Sequence, residues 1–113
     1  MPTTNYTIIQ PDGAEEVRTV DLPEKPSFTQ LASVIRPLLG FGRDAERVNV
    51  LLQGRYTDMF VDDMGVLDGL PINAKATAIY NNNLRENSPA VAAVLGEQPI
   101  HGVAILFDRR VWF

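Results

Sequence analysis

A strand, a loop and a helix start follow one another in the stretch Val61-Asp62-Asp63-Met64-Gly65-Val66-Leu67-Asp68-Gly69-Leu70-Pro71-Ile72-Asn73, which runs directly into Ala74-Lys75-Ala76-Thr77-Ala78-Ile79-Tyr80. Aspartate and glycine after the strand predict a turn, because these residues favour turn conformations. Pro71 lacks an amide hydrogen, so the extended segment is expected to stop there. Asn73 can accept hydrogen bonds from the free amides of a helix that begins behind it. The rest of the chain is predicted to support this junction.

A β-hairpin is predicted at the beginning of the chain. Residues 4–10 are rich in threonine, tyrosine and isoleucine, and residues 16–22 alternate between two faces. Pro11-Asp12-Gly13 lies between them, with a proline that presets its φ and a glycine that tolerates a positive φ.

The first helix is predicted to start after Ser27, which forms a capping box with Gln30. Apolar residues then recur at helical spacing and would face the sheet: Leu31, Val34, Ile35, Leu38 and Leu39. Pro37 has no amide and clashes with the preceding turn, so the regular helix is predicted to end near Arg36.

The second half is predicted to contain another hairpin, two helices and a closing strand. The hairpin joins residues 47–52 to 55–61 through Gln53-Gly54. The helices are expected at about 74–84 and at 90–95, and the apolar residues 100–107 are typical of a central strand. The resulting order, β-β-α-β-β-α-(α)-β, predicts one α+β domain over residues 1–113. We expect a mainly antiparallel sheet of about five strands, with helices packed on one face.

Composition excludes several functions. The net charge is −4 and the pI is near 4.8, which argues against nucleic acid as a partner. There is no cysteine and only one histidine, so no metal and no cofactor is expected. No apolar run approaches the roughly 20 residues of a membrane span, and the N-terminus does not look like a signal peptide, so a cytoplasmic location is expected.

The second half also carries a pattern of short motifs. Asp63-x-Gly65 is followed by Leu70-Pro71-x-Asn73, by the helix Ala76-Thr77-Ala78-Ile79-Tyr80 and by Ile100-x-Gly102-x-Ala104-Ile105. This arrangement resembles a small family of uncharacterised domains common in phage, plasmid and actinobacterial accessory genes. The resemblance covers roughly residues 61–106 and implies a genomic neighbourhood, but no activity. The segment from Asn81 to Gln98 looks longer than the family's usual connection.

Two groups of side chains are candidates for ligand binding. Asp62, Asp63 and Asp68 could hold a divalent cation, but turn formation explains the same residues better. Tyr80, Asn81 and Arg85 offer an aromatic ring and polar groups for a nucleotide or a peptide, although asparagines near a helix end also terminate helices.

Catalysis has little support in the sequence. His101 has no identifiable catalytic partner nearby, and no phosphate loop, nucleophile elbow or dinucleotide fingerprint is present. We therefore expect no enzyme.

The C-terminus is predicted to be a contact element. Trp112 and Phe113 are too apolar for a mobile tail, and Arg109 and Arg110 would form a charged rim around them. We expect this segment to extend the last strand and to pack on the domain or across a homodimer, with the dimer slightly preferred.

Three functions remain as hypotheses, of which the weakest is an unrecognised hydrolase that uses Asp62, Asp63 or His101. The first is a non-enzymatic accessory protein of a phage or mobile element that binds a host or phage protein stoichiometrically. The second is a small-ligand or nucleotide-binding domain, using the groove between the loop Asp62–Asn73 and the helix that carries Tyr80.

Overall fold

The structure, a computed structural model, describes residues 3–40, 42–52, 54–96 and 98–113. Five strands and three helices follow in the order β1 (Thr3–Ile9), β2 (Glu15–Asp21), α1 (Phe28–Leu39), β3 (Ala45–Leu52), β4 (Arg55–Asp62), α2 (Ala74–Asn87), α3 (Pro89–Leu95) and β5 (Ala104–Phe107). The predicted α+β class and element order are confirmed. None of the helices in these ranges is both long and apolar enough for a membrane span.

All five strands form one antiparallel sheet in the order β2-β1-β5-β4-β3. Both predicted hairpins are present as the pairs β1–β2 and β3–β4, although Gln53 of the second turn lies outside the described residues. The last strand enters between the two hairpins and joins them into a single sheet. β5 is therefore central, as its apolar sequence predicts, but it begins only at Ala104.

The first face of the sheet is covered by α1. Leu31 and Ile35 of this helix pack on a cluster of inward side chains from the three central strands: Tyr6, Ile8, Phe60, Ile105 and Phe107. The capping box is present, since the Gln30 amide donates to Ser27 Oγ (3.1 Å) and the Ser27 amide donates to Gln30 Oε1 (2.8 Å).

The second face is covered by α2, which corrects the expectation that the helices share one face. Ala76 of α2 is buried against Ile9, Met59, Val61 and Ala104. These four residues alternate along their strands with the residues beneath α1, so they point to the opposite side. A central strand that is apolar on both faces must be covered on both, and here α1 covers one face and α2 the other.

Pro37 does not end α1, so that prediction is wrong. The helix continues to Leu39, and the Gly40 amide still donates to the Arg36 carbonyl at 3.1 Å. Leu38 and Leu39 in the last turn pack against the core beneath α1. Their burial offsets the missing amide of the proline, which costs about 3 kcal/mol in a helix interior.

The C-terminal segment packs on its own chain and does not extend β5. After Phe107 it crosses the face beneath α1, where Val111 is fully buried and the Trp112 ring meets the Phe28 ring edge-on at 6.1 Å. The buried Asp58 carboxylate accepts from the amides of Val111 (2.9 Å) and Trp112 (2.8 Å). These two hydrogen bonds hold the segment on this face of the sheet.

Candidate functional site

The loop between β4 and α2 is held at its start by one arginine. Arg43 forms an ion pair with Asp62 and donates to Asp68 Oδ2 at 2.7 Å. Burial alone would raise the pKa of Asp62, but hydrogen bonds from Arg43 and from the Met64 amide outweigh it, and the pKa is lowered. The hydrogen bonds to Asp62 and Asp68 raise the pKa of Arg43. Two of the three loop carboxylates are thus occupied by a cation of the chain itself.

Asn73 holds the other end of the loop, and its predicted role as a helix cap is confirmed. Its side-chain oxygen accepts from the Ala76 amide at 3.1 Å. Its side-chain nitrogen also donates to the carbonyls of Ile9 (2.8 Å) and Gly102 (2.9 Å), and the residue is fully buried. One amide therefore joins α2, β1 and the segment before β5.

The middle of the loop lies directly against the segment before β5. A Cβ atom on Gly65 would lie 2.6 Å from the His101 carbonyl oxygen, so this close approach requires glycine. Ile72 and His101 form an antiparallel bridge, and His101 Nδ1 lies 2.7 Å from the Leu70 carbonyl. Because a carbonyl oxygen can only accept, Nδ1 is the donor in this hydrogen bond.

This anchored loop exposes four large apolar side chains beside the exposed carboxylates of Asp63 and Asp68. They are Met64 (44 %), Val66 (64 %), Leu67 (79 %) and Ile72 (56 %), and these four residues are called the junction surface below. Scattered apolar residues are common on protein surfaces, but four within nine positions of one loop form a local cluster. The backbone beneath them is fixed by Arg43, Asn73 and His101.

A small cleft of about 170 Å³ lies between the loop and α2. Its lining includes Asp62, Asp63 and Tyr80, so the structure brings together three of the five predicted ligand-binding residues. The lining also includes Glu46 and His101, and none of its described members is a lysine or an arginine. The cleft therefore favours a small cationic group over an anion.

The remaining two predicted ligand-binding residues lie elsewhere, in a concavity between α2 and α3. Asn81 is buried there and is fully engaged: its side-chain nitrogen donates to the Thr77 and Gln98 carbonyls, and its oxygen accepts from the Gln98 amide. Arg85 is exposed and pairs with Asn82 on its own helix. Asn81 thus anchors the segment after α3.

The predicted interface residues at the C-terminus also divide into two groups. Arg109 points inward and donates to the Pro23 (2.9 Å) and Glu24 (2.9 Å) carbonyls and to Thr4 Oγ1 (3.1 Å). Arg110 lies over the ring of Phe113, which is 56 % exposed. Of the predicted aromatic centre, only Phe113 remains largely accessible, because Trp112 packs on Phe28.

Sequence reasoning missed Arg43 and Glu46. Arg43 precedes Asp62 by 19 positions and lies in a different loop, so no local pattern connects the two. Arg43 comes next to Asp62 only because β3 pairs with β4, with Ala45 opposite Asp62.

No family model, curated protein or solved structure matches this chain.

Proposed function

We propose that the chain is a non-enzymatic accessory protein of a phage or mobile element, which binds a host or phage protein stoichiometrically through the junction surface. The observation that carries this proposal is the cluster of exposed apolar side chains on an anchored loop. Apolar side chains cost free energy in water unless a partner covers them.

The anchoring supports binding in a second way. A loop that is already ordered loses little conformational entropy when it binds, so more of the contact energy appears as affinity. The half-buried Arg43 supplies this order at the start of the loop through Asp62 and Asp68, and the buried Asn73 supplies it at the end. The acidic cleft lies next to Val66, so a partner with a basic side chain beside apolar residues would match both features.

The link to mobile elements is supported by the resemblance of residues 61–106 to domains encoded in phage and plasmid accessory genes. All four motifs of that resemblance lie in or around the junction: the turn at Gly65, the cap at Asn73, α2 and the segment entering β5. The resemblance therefore concerns the part of the chain that carries the exposed cluster.

Capture of partners from the native host tests the proposal. Three baits are compared: the wild type, a double variant and a control variant. The double variant carries Val66→Ser and Leu67→Ser, both at exposed positions where polar side chains should leave stability unchanged within about 0.5 kcal/mol. The matched control is Val94→Ser on α3, where the side chain is 85 % exposed. We expect a complex of fixed stoichiometry by native mass spectrometry with the wild type and the control, and its loss with the double variant. A partner that binds all three baits equally would exclude the junction surface.

The alternative function is small-ligand binding in the cleft beside Tyr80. The carboxylates of Glu46 and Asp63 and the His101 ring favour a small amine or cation there. Its volume of about 170 Å³ is below the roughly 300–1,000 Å³ of ordinary ligand sites, which is why we rank it second. A thermal-shift screen with nucleotides, divalent ions, lysine and arginine separates the two functions, because a ligand that binds the folded state raises the melting temperature.

A further inference from the structure

β2 is an edge strand that is largely exposed: Val20 packs against the core beneath α1, and the Lys75 side chain of α2 pairs with Glu15. Six of its seven residues are exposed, and Val17 is 67 % accessible. The Gln10 amide donates to the Ala14 carbonyl at 2.8 Å, so Gln10 and Ala14 are a hydrogen-bonded pair of the β1–β2 ladder. The next pair, Ile9 and Glu15, is therefore not hydrogen-bonded. Because the direction of backbone groups alternates along a strand, every second residue of β2 points its amide and carbonyl away from the sheet. These outward residues are Glu15, Val17, Thr19 and Asp21.

The opposite edge, β3, is partly closed. The Asn83 side chain of α2 donates to the Leu51 carbonyl at 2.7 Å, and the Asp44 carboxylate accepts from the Ala45 amide at 2.9 Å. Both contacts occupy backbone groups of β3 near its ends. Within the described residues, β2 therefore offers the longer run of accessible backbone for strand pairing.

We propose that a second copy of this chain pairs with β2, antiparallel and about a two-fold axis through Val17. In this register Glu16 lies opposite Arg18 of the second copy, and the symmetry repeats the pair. Opposite charges directly across two strands stabilise their pairing. The two Val17 side chains meet at the centre, and two five-stranded sheets become one continuous sheet.

Charge selects this register over its neighbours. A two-fold axis through Arg18 would place Arg18 opposite itself and Glu15 opposite Asp21, and both contacts are repulsive. An axis through Glu16 would place two glutamates face to face. Only the register centred on Val17 sets Glu16 against Arg18. The side chains of Glu16 and Arg18 are 57 % and 49 % exposed and form an ion pair within one chain, so the register centred on Val17 places four charges of alternating sign around the axis.

Sedimentation velocity over a wide concentration range tests the dimer, and charge variants test the register. We expect the wild type to shift from monomer to dimer as its concentration rises. Glu16→Arg and Arg18→Glu should each be monomeric, because like charges then face each other. An equimolar mixture of these two variants should dimerise again, since it restores both pairs, and the double variant should dimerise alone. Glu46→Arg on the other edge is the control and should dimerise like the wild type.

Three results would overturn the proposal: a wild type that stays monomeric at every concentration, single variants that still dimerise, or a mixture that remains monomeric. Far-ultraviolet circular dichroism of each variant confirms that the fold is retained. None of these measurements depends on the partner of the junction surface.

Discussion

At the scale of single residues, Asn73 does more than end a segment. As a helix cap it needs only its side-chain oxygen, and an exposed position would serve. In the structure its nitrogen also donates to two carbonyls, that of Ile9 in β1 and that of Gly102 in the segment before β5. The residue therefore couples the start of α2 to the centre of the fold.

Replacing Asn73 by alanine should therefore lower stability by more than the loss of an ordinary helix cap does. Loss of a cap alone costs about 0.5–2 kcal/mol, and a buried polar group deprived of its partner adds about 1–3 kcal/mol. We expect Asn73→Ala to lower the unfolding free energy by about 2–4 kcal/mol in urea titrations. Ser27→Ala, which removes the exposed cap of α1, is the matched control and should cost about 1 kcal/mol. Equal losses for the two variants would show that the contacts to Ile9 and Gly102 contribute nothing.

The ion pair of Asp62 makes stability depend on pH. The pKa of Asp62 is lowered in the folded state, whereas in the unfolded chain it lies near 3.9. Its contribution is therefore fully present above about pH 5 and is lost as the pH falls through the folded pKa.

Asp62→Asn measures this contribution, because the amide keeps the shape but not the charge. The difference in unfolding free energy between wild type and variant should be constant from about pH 5 to 7 and should shrink below about pH 4. Asp63→Asn, at an exposed neighbouring position, is the control and should show a much smaller difference at neutral pH. If the difference in unfolding free energy between wild type and Asp62→Asn grew as the pH fell, the predicted direction of the pH dependence would be wrong.

At the scale of elements, the C-terminal segment and α1 depend on each other. Val111 completes the core beneath α1, and the Trp112 ring packs on the first residue of that helix. The buried carboxylate of Asp58 in β4 receives two of its hydrogen bonds from this segment. A short stretch without regular secondary structure thus closes one side of the core.

Deleting residues 111–113 should destabilise the fold by more than about 3 kcal/mol. The deletion removes the buried Val111 side chain, whose burial contributes about 1.5–3 kcal/mol. It also leaves the Asp58 carboxylate without two amide donors. Phe113→Ala is the control and should cost under about 1 kcal/mol, since the ring is largely exposed. Chemical denaturation measures stability, and sedimentation measures mass. A deletion that lowers the mass without lowering monomer stability would support the tail-mediated dimer instead.

At the scale of the whole molecule, the sheet is a shared wall between two cores. α1 and the C-terminal segment close one side, whereas α2 crosses the other side, from Lys75 beside Gly13 and Glu15 to Asn83, which donates to the Leu51 carbonyl of β3. On the same side Thr7, Arg55 and Leu106 line a shallow depression.

The amino-acid sequence by itself determined the local features of this fold. The capping box at Ser27, the cap at Asn73, the turn at Gly13 and both hairpins depend on neighbours within a few positions. Hydrogen bonds and allowed dihedrals at that range are set by residue type, so they can be predicted without knowledge of the rest of the chain. For the candidate site, the same reasoning located the loop and placed Tyr80 beside it.

Only the tertiary structure decided how distant parts combine. The alternation of β1, β4 and β5 shows two apolar faces, but which helix covers which face depends on the course of the chain. Arg43 reaches Asp62 only because β3 pairs with β4, and Pro37 is tolerated only because Leu38 and Leu39 find a core beneath them. The C-terminal segment is held against the core by a buried carboxylate on another strand, which accepts from two of its amides. Contacts between residues far apart in sequence supply these free energies, and no local pattern carries them.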